Sequence, residues 1–577
     1  MWLGGGSEGW ERGPYYLDGL VPLAHVLDDD LLKSRAQRWL ESILTMQDAS
    51  GWVGPVQAPG RQPYDQWPVF IVLKALTQHH EATGDERVIP FITGFCRYLN
   101  DTLDDRPLRD WGMYRWADGA LTVHWLYNRT GDAWLLDVAA KMALQGYDWR
   151  RHFEDFRYTA KTPRDACTLS THVVNSAMAV KTGGVWWRQS GDAGDRASVY
   201  RTMEMLDRYH GQATGVFTGD EHYAGLDPTQ GTELCGVVEY MFSLEELIGI
   251  LGDSALSDRL ERIAYNALPG TFTEDMWAHQ YDQQANQVLC TIAPRHWTNN
   301  DDTSNIYGLE PNFGCCTANL HQGWPKLVRS LWMATRDGGL AAVIYGPSEV
   351  RARVQGVDVR IAEDTDYPFD GEVRLRICAD APVRFPLVLR APGWERCTVL
   401  NVLSSDAPSE EPIEAGAWKR VERTWRTGDA VVLSMPTELR TERRYRNALT
   451  LHRGPLVMAL KIGEERGLLA GAAHPRPGER SPDWEIRPTT PWNYALCPGR
   501  GFRVIAAPVH RTPFTPDHAP VTVLATARRV PEWQLVDNSA GPTPISPVAT
   551  PEAEETVELI PYGSARLRIT EFPTCDE

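Results

Sequence analysis

At 577 residues, with 42% hydrophobic and 23% charged side chains, the chain has an ordinary globular balance and is too long for one hydrophobic core, so two to four domains are expected. A formal net charge of −18 argues against nucleic acid and anionic membrane surfaces as partners. No apolar run approaches the ~18 residues of a membrane span, and Met1-Trp2-Leu3-Gly4-Gly5-Gly6 lacks the basic and apolar regions of a secretory signal.

The first 335 residues repeat one pattern: a helix, a short turn often containing Gly-Asp, then a second helix. One such hairpin runs from Tyr16 through Asp28-Asp29-Asp30 to Leu44. The next passes Trp67, Leu73 and Leu76 and turns at Thr83-Gly84-Asp85. A third turns at Thr130-Gly131-Asp132, a fourth starts near His172 and turns at Ser190-Gly191-Asp192, and a fifth turns at Leu251-Gly252-Asp253. A sixth half-pair follows Cys316 through Leu320, Val328 and Leu331. Apolar residues recur at helical spacing within each, and the Gly-Asp turns read as a helix stop followed by a new start. The turn-to-turn period of roughly 45–60 residues exceeds that of the common helical repeats. Six hairpins close into an (α/α)6 barrel. An open solenoid is the alternative, but the irregular loops between hairpins favour the barrel, with a pocket at one end.

After about Arg336 the texture changes. Ala341–Tyr345, Val373–Ile377, Leu387–Leu389, Ala430–Leu433 and Leu449–Leu451 are short apolar or alternating runs punctuated by Gly and Pro, which predicts an antiparallel β-sandwich. Gly463 to Pro488 reads as a loop-rich excursion. Val521–Leu524 and Leu559–Tyr562 form a last β segment, with a Pro-rich surface connection from Pro542 to Pro551. The expected units are a barrel over 1–335, a sandwich over 336–460 and a C-terminal β-rich unit over 461–577.

Chemistry concentrates in Cys315-Cys316 and, about eighty residues upstream, Glu233-Leu234-Cys235. Three thiols and a carboxylate make a complete tetrahedral zinc set. Adjacent residues point in different directions on a helix or strand, so packing rarely asks for two neighbouring cysteines. A metal site, a vicinal disulfide and a thiolate nucleophile beside a metal all fit; two buried cysteines acting as small apolar groups are the plain alternative. The ten cysteines do not read as a disulfide framework, and a reduced, cytoplasmic setting is expected.

With these motifs the chain resembles the β-L-arabinofuranosidase group of glycosidases, glycoside hydrolase family 127 and its close relatives. The likeness rests on Glu233-x-Cys235 and Gly314-Cys315-Cys316, on Asp220-Glu221, and on Thr171-His172-Val173-Val174-Asn175. Tyr367-Pro368-Phe369, Gly454-Pro455-Leu456 and the helical-then-β order extend it over nearly the whole chain. The resemblance implies Zn2+ held by Glu233, Cys235, Cys315 and Cys316, with Cys315 as nucleophile and Glu221 as general acid/base. It implies a sugar contact by His172, with Asn175 a substrate-binding candidate in the same motif; Asp65, Trp67, Asp118, Tyr281, Gln284 and Asn286 lie where the barrel's loops should line the pocket. Residue chemistry is compatible: retaining glycosidases need one group to attack the anomeric carbon and another to protonate the leaving oxygen, and a metal-bound thiol is deprotonated.

Two departures concern the substrate: Asp118-Gly119 stands where relatives often have Gly-His, and the stretch Asp227–Thr232 before Glu233 is shorter. Relatives usually carry a β segment before the first hairpin, so Met1 reads as a late start. The expected activity is a retaining exo-glycosidase acting on a β-L-arabinofuranoside or a similarly shaped sugar. The alternatives are another (α/α)6-barrel enzyme, such as an unsaturated uronyl hydrolase or a lyase, and a non-catalytic carbohydrate-binding protein with structural zinc. A carbohydrate is the expected partner; the oligomeric state is open, a homodimer among the options.

Overall fold

The computed structural model describes residues 9–54, 65–310, 314–404, 408–469 and 482–575. The expectation of a late start at Met1 and the middle of the Gly463–Pro488 stretch lie outside them.

Helices occupy the first part of the chain and pair as the turns predict. Gly9–Val26 pairs with Asp30–Leu44, Trp67–Thr83 with Val88–Thr102, Trp116–Thr130 with Trp134–Gln145, and Leu234–Leu251 with Ser254–Arg262. In the fourth pair the inner helix is split at Val180-Lys181 into Val173–Ala179 and Thr182–Ser190, followed by Ala193–His210. At the turns, Gly84, Gly131, Gly191 and Gly252 adopt φ of +65° to +73°, the left-handed conformation that ends a helix cheaply only with glycine. The following Asp192 and Asp253 then accept a backbone N–H from the next helix as N-caps.

The first helix of each pair faces inward. Trp67–Thr83 and Leu234–Leu251 are buried on almost every side, whereas Asp30–Leu44 buries only Ala36, Leu40 and Ile43; a helix apolar all round belongs in a core and an amphipathic one at its edge. The inner helices touch in a ring: Gly9–Val26 against Trp67–Thr83, then Trp116–Thr130, Thr182–Ser190 and Leu234–Leu251 in turn. The short helices Gly314–Leu320 and Gly323–Arg329 contact both Leu234–Leu251 and Gly9–Val26 and close the ring. This is the (α/α)6 barrel. Among the described residues no helix is long and apolar enough to cross a membrane.

Strands follow from Trp332. A six-stranded sheet runs in the order 409–413, 398–403, 430–434, 372–379, 357–365, 348–354, and a four-stranded one in the order 418–425, 383–390, 340–342, 332–334. Pairing is antiparallel as expected, except that Val383–Arg390 runs parallel to Leu340–Ala342. Alternating burial in Val357–Thr365 and Glu372–Ala379 sends one face into a shared apolar core and the other to solvent. A further sheet joins Leu439–Arg443, Leu449–Arg453 and Leu456–Leu460 to Glu554–Pro561, Val521–Arg529 and Tyr494–Leu496. The boundary expected at 460/461 therefore falls inside a sheet: the strands before it bury their apolar faces with the C-terminal strands.

Two further expectations are corrected. The ends of the supposed excursion, Glu464–Leu468 and Trp484–Pro488, pair as antiparallel strands. Cys497 and Cys575 form a disulfide, their Cα atoms 5.3 Å apart; Leu496 and Thr574, one residue before each, are bridged and bring them side by side. Cys315 and Cys316 are free thiols, so they are not a vicinal disulfide.

The strands brace the barrel through buried polar contacts. Arg390, wholly buried, pairs with Asp258 and Glu261 of the helix Ser254–Arg262. Asn266 donates to Pro455 O at 2.9 Å and accepts from Val457 N at 2.8 Å. Gln287 and Arg568 exchange backbone hydrogen bonds at 2.9 and 2.7 Å, so the C-terminal tail buttresses the loop that carries Tyr281.

Candidate active site

Glu233 ends a two-residue strand and caps the helix Leu234–Leu251, whose first turn holds Cys235; Cys315 and Cys316 lie in the first turn of Gly314–Leu320. One ligand atom from each of these four residues lies within 4.8 Å of the others, and the sulfurs of Cys235 and Cys316 are 3.1 Å apart. Cys235, Cys316 and Glu233 are buried, while Cys315 is partly open to the cavity. Burial pushes Glu233, Cys235 and Cys316 well above their ordinary pKa values, with their negative neighbours adding to it. Hydrogen bonds from Cys235 and Cys316 hold the Cys315 thiol well below its ordinary value against that same burial. Three sulfurs and one carboxylate oxygen gathered from three separate elements, with no cationic side chain among them, fit a thiophilic cation of tetrahedral preference.

Glu221 stands beside this cluster. It sits at the apex between Gly219–Asp220 and His222–Tyr223, which pair as Asp220 with His222. Its φ is +64°, a conformation that costs a non-glycine residue on the order of 1 kcal/mol. The turn is pinned by Val173 N donating to Glu221 O at 2.8 Å and Glu221 N donating to Glu233 Oε2 at 3.3 Å. His172 Nε2 lies 2.7 Å from one carboxylate oxygen; Tyr281 OH donates to the other, and Asn300 Nδ2 to that same oxygen at 3.2 Å. Burial opposes ionisation, but the hydrogen bonds from His172, Tyr281 and Asn300 and the charge of His172 outweigh it and hold the carboxyl at about 2. Behind it, Asp220 is raised to about 7 by burial, against hydrogen bonds from the Asn299 and Asn300 backbone.

Glu221, His172, Glu233, Cys235 and Cys315 line one cavity of about 420 Å3 at the end of the barrel where the inner helices begin. Glu11, Arg12, Tyr15, Trp111, Arg115, Val174, His222 and Asn300 also line it. Aligned helix N-termini carry partial positive charge, which favours a thiolate there. A larger cavity of about 890 Å3, between Trp116, Tyr147, Trp149, Trp186 and Asp192, holds none of the candidate metal-binding groups found among the described residues.

Several predicted pocket residues do other work. Asp118 is fully buried inside the barrel, paired with Lys181 at 2.9 Å and Lys74 at 3.2 Å, and these cations lower its pKa against the burial penalty. Asp65 accepts backbone N–H groups of Trp67, Trp111 and Gly112 at 2.8–2.9 Å and fixes the loop. Trp67 is wholly buried and presents its Nε1–H to Glu11 at 2.8 Å, and Asn175 holds Arg115 Nε at 2.7 Å. Gln284 is tied to Thr229 O and Ser539. Asn286 donates to Glu571 O at 3.1 Å and accepts from Thr570 N at 2.9 Å, so it braces the C-terminal tail, and neither residue lines the cavity. Of these three loop residues Tyr281 is the one that reaches the Glu221 carboxylate.

Sequence reading missed Glu11, Trp111, Arg115 and Asn300. Glu11 and Arg115 mark the starts of inner helices, a position that the hairpin repeat itself identifies as the pocket end. Asn300 has no such signal: it lies in an irregular loop of the described chain, brought in by Asp220.

Sequence comparison matches residues 4–329 to the family described as "Beta-L-arabinofuranosidase, GH127 catalytic domain" and residues 339–437 to the corresponding middle domain. No curated protein sequence matches the chain. Among solved structures, a β-L-arabinofuranosidase from Geobacillus stearothermophilus T6 superposes with a TM-score of 0.69 at 19% identity, covering 97% of this chain and 88% of its own. A protein described as a glycoside hydrolase gives 0.70 at 15%, covering 98% and 92%; a family 127 β-arabinofuranosidase gives 0.67 at 15%, covering 99% and 89%. A catalytic-domain match over more than half the chain, carried on the barrel that holds Glu221 and the Cys315 cluster, makes this protein a glycoside hydrolase, a member of family 127.

Proposed function

We propose that the protein is a retaining exo-glycosidase whose nucleophile is Cys315, whose general acid/base is Glu221 and whose substrate is a β-L-arabinofuranoside. The observation that carries this reading is the shared cavity: Cys315 and Glu221 both open onto it, and Glu233 links them as a neighbour of each. Glu233, Cys235, Cys315 and Cys316 would hold Zn2+, which when bound keeps the thiols deprotonated near neutral pH.

In this reading the Cys315 sulfur attacks the anomeric carbon as Glu221 protonates the departing oxygen; Glu221 then takes a proton from the water that releases the sugar. A carboxyl held near 2 is ready for the second task. For the first it must carry a proton, and a sugar displacing cavity water strengthens the burial effect that already opposes its ionisation. His172 and Tyr281, each bonded to one oxygen, fix the carboxyl's plane through both steps.

A uronyl hydrolase or lyase gives no role to the cysteine cluster. A structural-zinc binding protein leaves the strained, triply hydrogen-bonded Glu221 unexplained. Activity of the full chain on a panel of nitrophenyl furanosides and pyranosides, with Cys315→Ser alongside and zinc measured by elemental analysis, tests the proposal. One zinc per chain and a β-L-arabinofuranosidase activity abolished in Cys315→Ser are expected. Unchanged turnover in Cys315→Ser, or less than half an equivalent of zinc, overturns it.

A further inference from the structure

We propose that the ion pair Arg12–Glu310 positions the nucleophile: it sets the rotation of the helix Gly314–Leu320, so that the Cys315 sulfur opens onto the cavity while Cys316 is turned inward. The proposal rests on the glycosidase reading above and adds two positioning residues that act through Cys315.

Arg12 lies in the first turn of the inner helix Gly9–Val26, and its Nη1 donates to Glu310 Oε1 at 2.9 Å. Glu310 stands shortly before Gly314 in the chain, so the contact joins the first helix of the ring to the region of the helices that close it. The two side chains are 31% and 23% exposed. Ions shielded to this degree are screened less by salt than a pair on the open surface, and a charge-assisted hydrogen bond is directional as well as strong. Arg12 also lines the cavity onto which Cys315 opens.

The pair packs against Gly314. A Cβ built there would collide with Glu310 Oε1 and with the Arg12 guanidinium, so the pair fills space that any residue other than glycine would take. Close approach of this kind is one of the uses of glycine. The two thiols follow Gly314 directly, in the first turn of the helix. Successive residues on a helix are turned about 100° apart, so the rotation of that turn decides which sulfur an anomeric carbon would meet. Cys315 is partly open and Cys316 wholly buried. Other polar contacts hold the helix further along. Thr317 Oγ1 meets His279 Nε2 at 3.0 Å and donates to Leu309 O at 3.2 Å, and His321 Nε2 lies 2.8 Å from Tyr16 O. These fix its middle and its end. The ion pair, pressed on Gly314, bears on the turn that carries both sulfurs.

The test labels the full chain, as purified, with iodoacetamide and compares alkylation of Cys315 and Cys316 by mass spectrometry; kcat and KM on a nitrophenyl arabinofuranoside are measured beside it. The parent should label Cys315 in preference to Cys316. In Arg12→Ala and Glu310→Ala that preference should fall about ten-fold, and kcat about ten-fold with KM little changed, the scale on which partners behind a ligating group act. Arg12→Lys keeps the charge and should recover most of both. Gly314→Ala should act like the single variants by forcing the pair apart, and should cost little more once Glu310 is replaced, because the two changes strike one contact. Melting temperatures check the fold; if Arg12→Ala does not fold, Arg12→Gln and Glu310→Gln, which keep the bulk and remove the charge, give the same reading. Parent-like preference and kcat in both single variants, Arg12→Lys no better than Arg12→Ala, or fully additive losses from Gly314→Ala and Glu310→Ala overturn the proposal. The two readings fail separately. A chain that cleaves no glycoside yet loses the Cys315 preference in these variants loses only the catalytic proposal. A chain that cleaves arabinofuranosides at the parent rate without the pair loses only the positioning role.

Discussion

Replacing Glu221 by Gln removes the proton that the proposed mechanism moves and little else. The amide oxygen can still accept from Tyr281 and Asn300, the turn at φ +64° is backbone-held, and Glu233 keeps its hydrogen bond from the residue 221 N–H. What changes is that neither the first nor the second half-reaction has a titratable group facing the reacting oxygen. General acid help is commonly worth ~10²–10⁴-fold, or about 3–5 kcal/mol of barrier. Glu221 lies toward the upper part of that range because its carboxyl is held by three side chains and needs no reorganisation. An alkyl arabinofuranoside, whose leaving oxygen must be protonated, should therefore lose 10²–10⁴ in kcat/KM. A dinitrophenyl arabinofuranoside, whose leaving group departs as an anion, should lose less than about ten-fold in kcat/KM. Its kcat should still fall, because release of the sugar from Cys315 has lost its base, and KM should fall with it as the intermediate accumulates. Steady-state kinetics on the two substrates decides the matter. Equal losses in kcat/KM on both would mean that Glu221 only binds sugar, and the assignment of the acid would fail.

Two further outcomes follow from the same geometry. Removing His172, the partner that contributes most to holding Glu221 at about 2, should let burial raise the carboxyl to the ordinary glutamate value of ~4.3 or above. Because the second step needs the ionised form, the acid limb of the kcat–pH profile should move upward by at least one to two pH units in His172→Ala, and a limb that stays in place contradicts the assignment. Asp118→Ala should act on stability instead: it leaves Lys181 and Lys74 without their shared buried carboxylate, a loss typically worth ~3–5 kcal/mol. For a barrel unit of ~320 residues melting together at roughly 2 cal/mol/K each, that corresponds to a Tm lower by about 5–8 °C, read by calorimetry. Asp118 has a lowered pKa, so its contribution is present above the unfolded carboxylate range and is lost as the pH falls below it.

The barrel was legible because its signals are local: glycine at each left-handed helix end and aspartate capping the next helix recur in the sequence and need no tertiary information. The gathering of Glu233, Cys235, Cys315 and Cys316 into one cluster able to hold a metal was legible for a different reason. Three thiols and a carboxyl have few other uses, so identity alone marks Glu233, Cys235, Cys315 and Cys316. Polar residues of ordinary type were not separable by sequence. Gln284 and Asn286 sit three and five residues beyond Tyr281, yet the side chain of Gln284 bonds Thr229 O and Ser539 and that of Asn286 serves the buried backbone of Thr570 and Glu571. Asp118 was misplaced because the start of the third hairpin reads as a pocket loop, whereas it lies inside the inner helix Trp116–Thr130. In this chain two inner lysines, Lys74 and Lys181, must be neutralised inside the barrel, and Asp118 answers that need, while Lys326 pairs with Asp18. Arg115 was overlooked because an arginine before a helix usually reads as a solvated charge, and only the flanking indoles make it a fixed part of the wall.

The most direct test of the central claim is to catch the sugar on sulfur. Glu221→Gln, mixed with a dinitrophenyl arabinofuranoside, quenched in acid within the first turnovers and digested, should yield by mass spectrometry a peptide spanning Cys315-Cys316 that carries one pentosyl group, with fragmentation placing it on Cys315. A pentosyl group on a glutamate or aspartate peptide, or turnover in Cys315→Ser at the parent rate with no cysteine adduct at any time, would contradict a thiolate nucleophile.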